Sequence, residues 1–194
     1  MHRIRSKLAT LAVCLCVLAA ATLLPHASAA DSSTPWYQPY MDAFEQNGWL
    51  EGIAADNLQP DDPINRAQFA SIVNRAAGLT EESGKIADYT DVSGAYRADL
   101  AKALAAGYMN GTSSTKMSPG SPLTRQDAAV MLARLMKLTA ADMSVLEKFS
   151  DSASISAYAR EGAAAMSAAG YINGDGKNFY LSGWRRQQRR NDVG

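Results

Sequence analysis

Histidine and cysteine are almost missing from this 194-residue chain, since each occurs only twice. All four residues lie within the first 29 positions: His2, Cys14, Cys16 and His26. The rest of the chain therefore has no thiol nucleophile, no imidazole base, no disulfide and no His or Cys ligand for zinc. Most routes to nucleophilic and metal-assisted catalysis are excluded, and we expect a protein that is not an enzyme.

Residues 1–29 have the pattern of a secretory signal peptide. A basic leader is followed by an apolar run over 8–24 and by the small-residue sequence Ala27-Ser28-Ala29. An uncleaved membrane anchor is the alternative, because the run is nearly long enough to span a bilayer. A lipoprotein is a weaker interpretation, because both cysteines follow large apolar residues. We expect cleavage, secretion and no membrane association afterwards.

The chain also has no excess of positive charge. Residues 30–184 hold 12 basic and 18 acidic residues, which disfavours nucleic acid as a partner because phosphate contacts need a basic face. Four arginines lie in a short tail, 185–194, which we expect to be disordered. The tail could bind acidic polymers, and a shifted reading frame or truncated gene explains its composition equally well. Residues 173–178 are similar to half of a calcium loop but lack its downstream Glu, so no metal or cofactor is expected.

What the chain does contain is a repeat. Residues 58–79 and 117–138 superpose with an offset of 59, and each has a proline-rich turn followed by an arginine, Arg66 or Arg125. An apolar stripe at helical spacing follows each arginine: Phe69, Ile72, Val73 and Ala76 in the first copy and Ala128, Met131, Leu132 and Leu135 in the second. The pattern predicts two amphipathic helices. Capping boxes are expected at their starts: Asn65 with Gln68, and Thr124 with Asp127.

Three alanine-rich helices are predicted to open the repeats, over 36–47, 97–106 and 157–169. A glycine follows each helix and is suited to the left-handed backbone at a helix end. The aromatic residue after that glycine is interpreted as a core plug: Trp49, Tyr108 and Tyr171. We number the units 1 (30–79), 2 (89–138) and 3 (149–184). Unit 3 is incomplete, because it lacks the proline turn, the Thr-Arg pair and the second apolar stripe.

These features together resemble the S-layer homology family. The shared features are an aromatic-x-Asp segment (Tyr89-Thr90-Asp91, Phe149-Ser150-Asp151), a helix, a Gly-x-x-x-Gly turn and a proline turn before Thr-Arg. The resemblance implies an all-α fold of three helix-turn-helix units in a pseudo-threefold arrangement, with the last unit incomplete here. It also implies a non-catalytic, monomeric module of the bacterial cell surface. The implied partner is a secondary cell-wall polysaccharide, often pyruvylated, which lies in grooves between units.

Arg66 and Arg125 are the residues that folding alone does not explain. A cation in the first turn of a helix is unfavourable by roughly 0.3–1 kcal/mol, because that end already carries partial positive charge. Free N–H groups and a guanidinium together suit a carboxylate, as a pyruvylated sugar would supply. The alternative is that each arginine pairs with a nearby acid and only fixes the packing of the units. Unit 3 has no arginine in register, so the groove that depends on it is doubtful.

Other candidate ligand-binding residues are weaker than the two arginines. Asp91 and Asp151 could orient an arginine, although capping of the opening helices is favoured. Aromatic faces can stack on sugars, but aromatic residues at a helix start are more often part of the core. The second glycine of each turn could let a sugar approach the backbone, and a plain turn explains it equally well. These aromatic and glycine candidates are Trp36, Tyr96, Tyr158, Gly52, Gly111 and Gly174.

Overall fold

The computed structural model of the chain describes residue 35, residues 37–50 and 62–174, and residue 180. Five α-helices lie in these ranges, and the described residues form no β-strand. They are α1 (Gln38–Gln46), α2 (Arg66–Ala77), α3 (Arg97–Ala105), α4 (Arg125–Met136) and α5 (Arg160–Ala168). None of these helices combines the length and hydrophobicity that a membrane span requires. Trp36, Gly52, the signal peptide and the basic tail lie outside the described residues.

The predicted helices are confirmed, with small shifts at their ends. Both second helices begin at the expected arginine. The opening helix of unit 1 begins two positions late, at Gln38, with Pro39 in its first turn, where a missing N–H is tolerated. The opening helix of unit 3 starts with a single 3-10 turn, Ala157–Ala159, before α5. The glycines that end the opening helices have the predicted positive φ angles, 67° at Gly48, 75° at Gly107 and 82° at Gly170.

Each hydrophobic core crosses a boundary between sequence repeats. The first core joins α2 of unit 1 to the opening half of unit 2, with Ala70, Leu100 and Tyr108 fully buried. The second joins α4 of unit 2 to unit 3 through Ala133, Ala163 and Phe149. We call the α2–α3 contact the first junction and the α4–α5 contact the second junction. The hydrophobic cores therefore lie between consecutive units rather than inside separate repeats.

The expected apolar stripes are only part of what the second helices bury. Phe69 and Ile72 are half-buried, whereas the most buried positions of α2 include Ala70, Ser71 and Asn74, on the face that packs against α3. Small residues on such a face allow two helices to approach closely. Hydrophobic periodicity misses this second face because its residues are small or polar.

Two of the predicted core plugs behave differently. Tyr108 is 0% exposed, as expected, but its counterpart Tyr171 is 39% exposed. Tyr96 and Tyr158 at the helix starts are also exposed rather than part of the core. For Tyr171 the reason is the close approach of α5 to α4, which pack through alanines and Gly162, where a Cβ would lie 2.8 Å from the Cα of Val130.

Candidate functional site

The N-termini of α2 and α4 both carry the predicted capping boxes. The Asn65 side chain accepts the N–H of Gln68 at 2.9 Å, and the Gln68 side chain accepts the Asn65 N–H at 2.9 Å. Thr124 and Asp127 exchange the corresponding bonds at 3.1 and 3.3 Å. Gln68 in one box and Asp127 in the other thus both complete the cap. Each box places its arginine at the first helical position.

The two capped ends meet, because the proline turn of unit 2 packs against the start of α2. The N–H groups of Arg66 and Ala67 donate to the carbonyls of Ser121 and Pro119 at 3.1 and 3.0 Å. An isolated antiparallel bridge pairs Asn65 with Pro122 at the same place. The N–H groups that begin α2 are therefore used inside the protein.

Arg66 is a packing residue as well as a candidate ligand residue. It is only 8% exposed, and its Nε and Nη2 donate to the carbonyls of Met117 and Asn110 at 3.0 and 2.7 Å. Burial lowers the pKa of its guanidinium, and the nearby Asp127 and Tyr158 oppose that shift. The alternative interpretation expected an acid as the partner of this arginine. Its hydrogen-bond partners are instead two backbone carbonyls of unit 2, so Arg66 joins unit 1 to unit 2.

Arg125 has a different environment although it occupies the same register. Its side chain is exposed, and its guanidinium carbon lies 5.7 Å from the centre of the Tyr180 ring. Such a contact is a cation–π interaction. Among the described residues no carboxylate forms an ion pair with Arg125. An arginine in this position can add a carboxylate or phosphate partner without giving up another one.

Asp127 lies between its own cap and unit 3. Besides Thr124, its carboxylate accepts the Tyr158 hydroxyl at 2.6 Å. Burial and this carboxylate raise the pKa of Tyr158 to about 12. Next to them, the Gln126 amide exchanges two hydrogen bonds with Ser156, at 3.1 and 3.0 Å. The Tyr158 ring is 61% exposed and is therefore presented to solvent at a fixed position.

Asp91 and Asp151 cap neither opening helix, so the favoured interpretation of these residues was wrong. The Asp91 carboxylate accepts the N–H groups of Met117 and Ser118, each at 2.9 Å. Partial desolvation acts to raise the pKa of Asp91, but these two bonds hold it below its usual value. Asp151 accepts the N–H of Tyr180 at 2.7 Å. Each aspartate thus fastens the start of its unit to the loop that precedes the second-helix position.

The glycine and aromatic candidates are spread over the molecule. A Cβ on Gly111 would lie 2.5 Å from the ring of Tyr89 and 2.6 Å from the Ser113 carbonyl, so close packing requires this glycine. Gly174 has a φ of 82°, which favours glycine for conformational reasons. Tyr96 is exposed beside the start of α3. The structure therefore brings together Arg66, Asp127 and Tyr158, and it leaves Tyr96 outside this cluster of interactions.

One residue of this region was missed from sequence. Tyr180 lies six positions after Gly174, as Met117 lies six positions after Gly111, and both side chains are fully buried. Counting from the second glycine of each turn would have identified it. Unit 3 lacks the Thr-Arg pair that marks the register in unit 2, so that pair gives no indication of Tyr180.

Comparison with known families agrees with this repeat structure. A model of the S-layer homology domain matches three segments, 30–70, 88–129 and 148–180, which together make up more than half of the chain. The chain belongs to the S-layer homology domain family. Domains of this family are cell-wall anchoring modules. The three matched segments fall within or next to units 1, 2 and 3, and the third ends at Tyr180.

Two curated relatives are similar to part of this chain. An endoglucanase of Bacillus sp. (strain KSM-635) is 28% identical over 131 residues, a match that covers 66% of this chain and 14% of the endoglucanase. A surface-layer 125 kDa protein of Lysinibacillus sphaericus is 31% identical over 108 residues, covering 53% of this chain and 9% of that protein. The matches thus cover a small part of proteins that are much longer.

Proposed function

We propose that this S-layer homology protein binds a secondary cell-wall polysaccharide that carries pyruvyl groups, and that Arg125 is the main contact to the ligand's carboxylate. The protein would act at the bacterial cell surface as a non-catalytic anchor. A guanidinium and a carboxylate form two parallel, charge-assisted hydrogen bonds, which give both energy and orientation.

The environment of Arg125 is the observation that carries the proposal. Its guanidinium is exposed at a capped helix N-terminus, where the partial positive charge of the helix adds to its own. Tyr180 supports it from one side through the ring face. Positive charge that is exposed and free of a carboxylate partner among the described residues suits an anionic sugar.

Arg66 has a supporting role in this proposal. Its bonds to the Asn110 and Met117 carbonyls hold the glycine turn of unit 2 against α2. The exposed ring of Tyr158, fixed by Asp127, offers a face on which a sugar can stack. A ligand beside the start of α2 would meet this ring and the carbonyl-bound edge of Arg66 rather than a free guanidinium.

The relatives support a second possibility, in which the chain is the anchor of a larger surface protein. An endoglucanase and a surface-layer protein both include a segment similar to this one within a far longer chain. Binding of the wall by this segment is common to both possibilities. They differ only in what the segment would attach to the wall.

Binding to purified cell-wall sacculi tests the proposal. The protein lacking residues 1–29 should sediment with sacculi and should stay in solution when the secondary polymer has been removed chemically. Arg125→Ala should weaken this binding about tenfold, the equivalent of about 1.4 kcal/mol. Arg134→Ala is the matched control, since Arg134 is an exposed arginine at the other end of the same helix.

The arginine variants separate binding from folding. Arg66→Ala should lower the melting temperature, because the buried Met117 carbonyl and the Asn110 carbonyl lose their donors. Arg125→Ala should leave the melting temperature almost unchanged. Equal binding by the wild-type and Arg125→Ala proteins would exclude the proposed contact, and equal binding to stripped and intact sacculi would exclude the polymer as the ligand.

A further inference from the structure

Tyr180 has a buried hydroxyl group without a hydrogen-bond partner. The residue is 0% exposed, its ring packs edge-on against Phe149 at 5.4 Å between centres, and its hydroxyl oxygen has no partner within the described part of the chain. Tyr108 is equally buried, but its hydroxyl donates to the Asn74 side chain at 2.8 Å. Two tyrosines with the same burial thus differ in whether the polar group is satisfied.

An unsatisfied hydroxyl destabilises the folded protein, because the group loses water and gains nothing in return. The other two units show that the position of Tyr180 does not need a hydroxyl group. Met117 fills the same register in unit 2, and Leu58 does so in the sequence of unit 1. Phenylalanine would fill the same space without an unpaired group. A tyrosine at this position indicates a hydrogen-bond partner for the hydroxyl outside the described residues, such as a bound ligand.

The surroundings of Tyr180 indicate what that partner is. The guanidinium of Arg125 lies over its ring, and Asp151 holds its backbone N–H at 2.7 Å. Burial raises the pKa of Tyr180 to about 12, while the positive charge of Arg125 acts in the opposite direction. The hydroxyl is therefore a neutral donor at ordinary pH, and it lies within the electrostatic influence of an exposed cation.

We infer that Tyr180 is a second ligand contact, whose hydroxyl donates a hydrogen bond to an oxygen of the carboxylate that Arg125 binds. This inference rests on the proposed function. The Arg125 side chain is exposed and makes no hydrogen bond to a described residue, so it can bind a carboxylate beside the Tyr180 ring. Arginine would supply the charge, and tyrosine would select for an acceptor oxygen at a fixed position.

Tyr180→Phe and Tyr108→Phe form a matched pair of variants for the test. Tyr180→Phe should raise the melting temperature of the free protein by about 2–4 °C, because it removes an unsatisfied group from the core. It should also weaken binding to intact sacculi, and to a soluble pyruvylated monosaccharide measured by calorimetry, about tenfold. Tyr108→Phe should lower the melting temperature by a similar amount and leave both affinities unchanged.

The results separate this inference from the proposed function. If the wild-type protein binds and Tyr180→Phe binds equally well, Tyr180 is not a ligand contact and Arg125 keeps its role. A fall in melting temperature for Tyr180→Phe would show that the hydroxyl has a partner inside the protein, and would also overturn the inference. In an Arg125→Ala background, Tyr180→Phe should have a much smaller effect on affinity, since both side chains bind one carboxylate.

Discussion

The two junctions are built from the same repeat and are stabilised by different chemistry. At the first junction Asn74 donates to the backbone carbonyl and the carboxylate of Asp99, at 2.8 and 3.2 Å, and accepts from Tyr108. Ser71 donates to the same carboxylate. At the second junction the positions in register with Ser71, Asn74 and Asp99 are Val130, Ala133 and Gly162.

The second junction has close apolar contact where the first has hydrogen bonds. A Cβ on Gly162 would lie 2.8 Å from the Cα of Val130, so the two helix backbones approach as closely as a glycine permits. Its polar contacts lie at the end of the interface, between Gln126 and Ser156 and between Asp127 and Tyr158. A repeated sequence can therefore keep its helices and change the chemistry that pairs them.

This comparison also explains how wrong pairings are avoided. If α3 packed on α4, Asp99 would face Val130 and Ala133, and its half-buried carboxylate would have no donor from them. If α5 packed on α2, Ser71 and Asn74 would face Gly162 and lose their acceptor. Either arrangement leaves polar groups unsatisfied, at about 1–3 kcal/mol for each group. Polar residues at one junction and small residues at the other thus favour the observed order.

The largest effect is expected from Asn74→Ala. This change removes three hydrogen bonds, so Asp99 loses a donor and the Tyr108 hydroxyl loses its Asn74 acceptor inside the first junction. The free energy of unfolding should therefore fall by about 3 kcal/mol. Chemical denaturation monitored by circular dichroism measures it. The triple variant Ser71→Val, Asn74→Ala, Asp99→Gly copies the second junction and should recover part of the loss. A loss below about 1 kcal/mol for the single variant would show that the network contributes little.

Gly162→Ala should have the next largest effect. Alanine favours a helix over glycine by about 0.5–1 kcal/mol, but its Cβ would collide with the backbone of Val130. Overpacking of this kind outweighs that gain, and we expect a net loss of about 2 kcal/mol. Gly84→Ala is the control, because a Cβ there meets nothing within 4 Å. If Gly162→Ala were as stable as the wild type, the second junction would be looser than the structure indicates.

The features that local sequence determines could be predicted, and those that depend on another unit could not. Helix starts at Arg66 and Arg125, both capping boxes and the left-handed glycines follow from local rules, because neighbours in sequence determine them. The partners of Arg66 could not be predicted, since the carbonyls of Asn110 and Met117 come from another unit. Which tyrosines are buried depends on the size of residues across a junction, information that one helix does not contain.

Alkaline pH should destabilise the first junction through Tyr108. Burial, with a contribution from the charge of Asp99, raises the pKa of Tyr108 above its usual value of 10. The unfolded chain therefore loses the Tyr108 proton first, and the stability tied to this group, complete below pH 10, decreases as the pH rises further. Near pH 11 the loss should be about 1 kcal/mol. Tyr108→Phe should be less stable at pH 8 and should lose less stability between pH 8 and pH 11, because the other tyrosines contribute equally to both proteins. Parallel stability curves for the two proteins would mean that Tyr108 titrates alike in the folded and unfolded states, and that the first junction does not shield it.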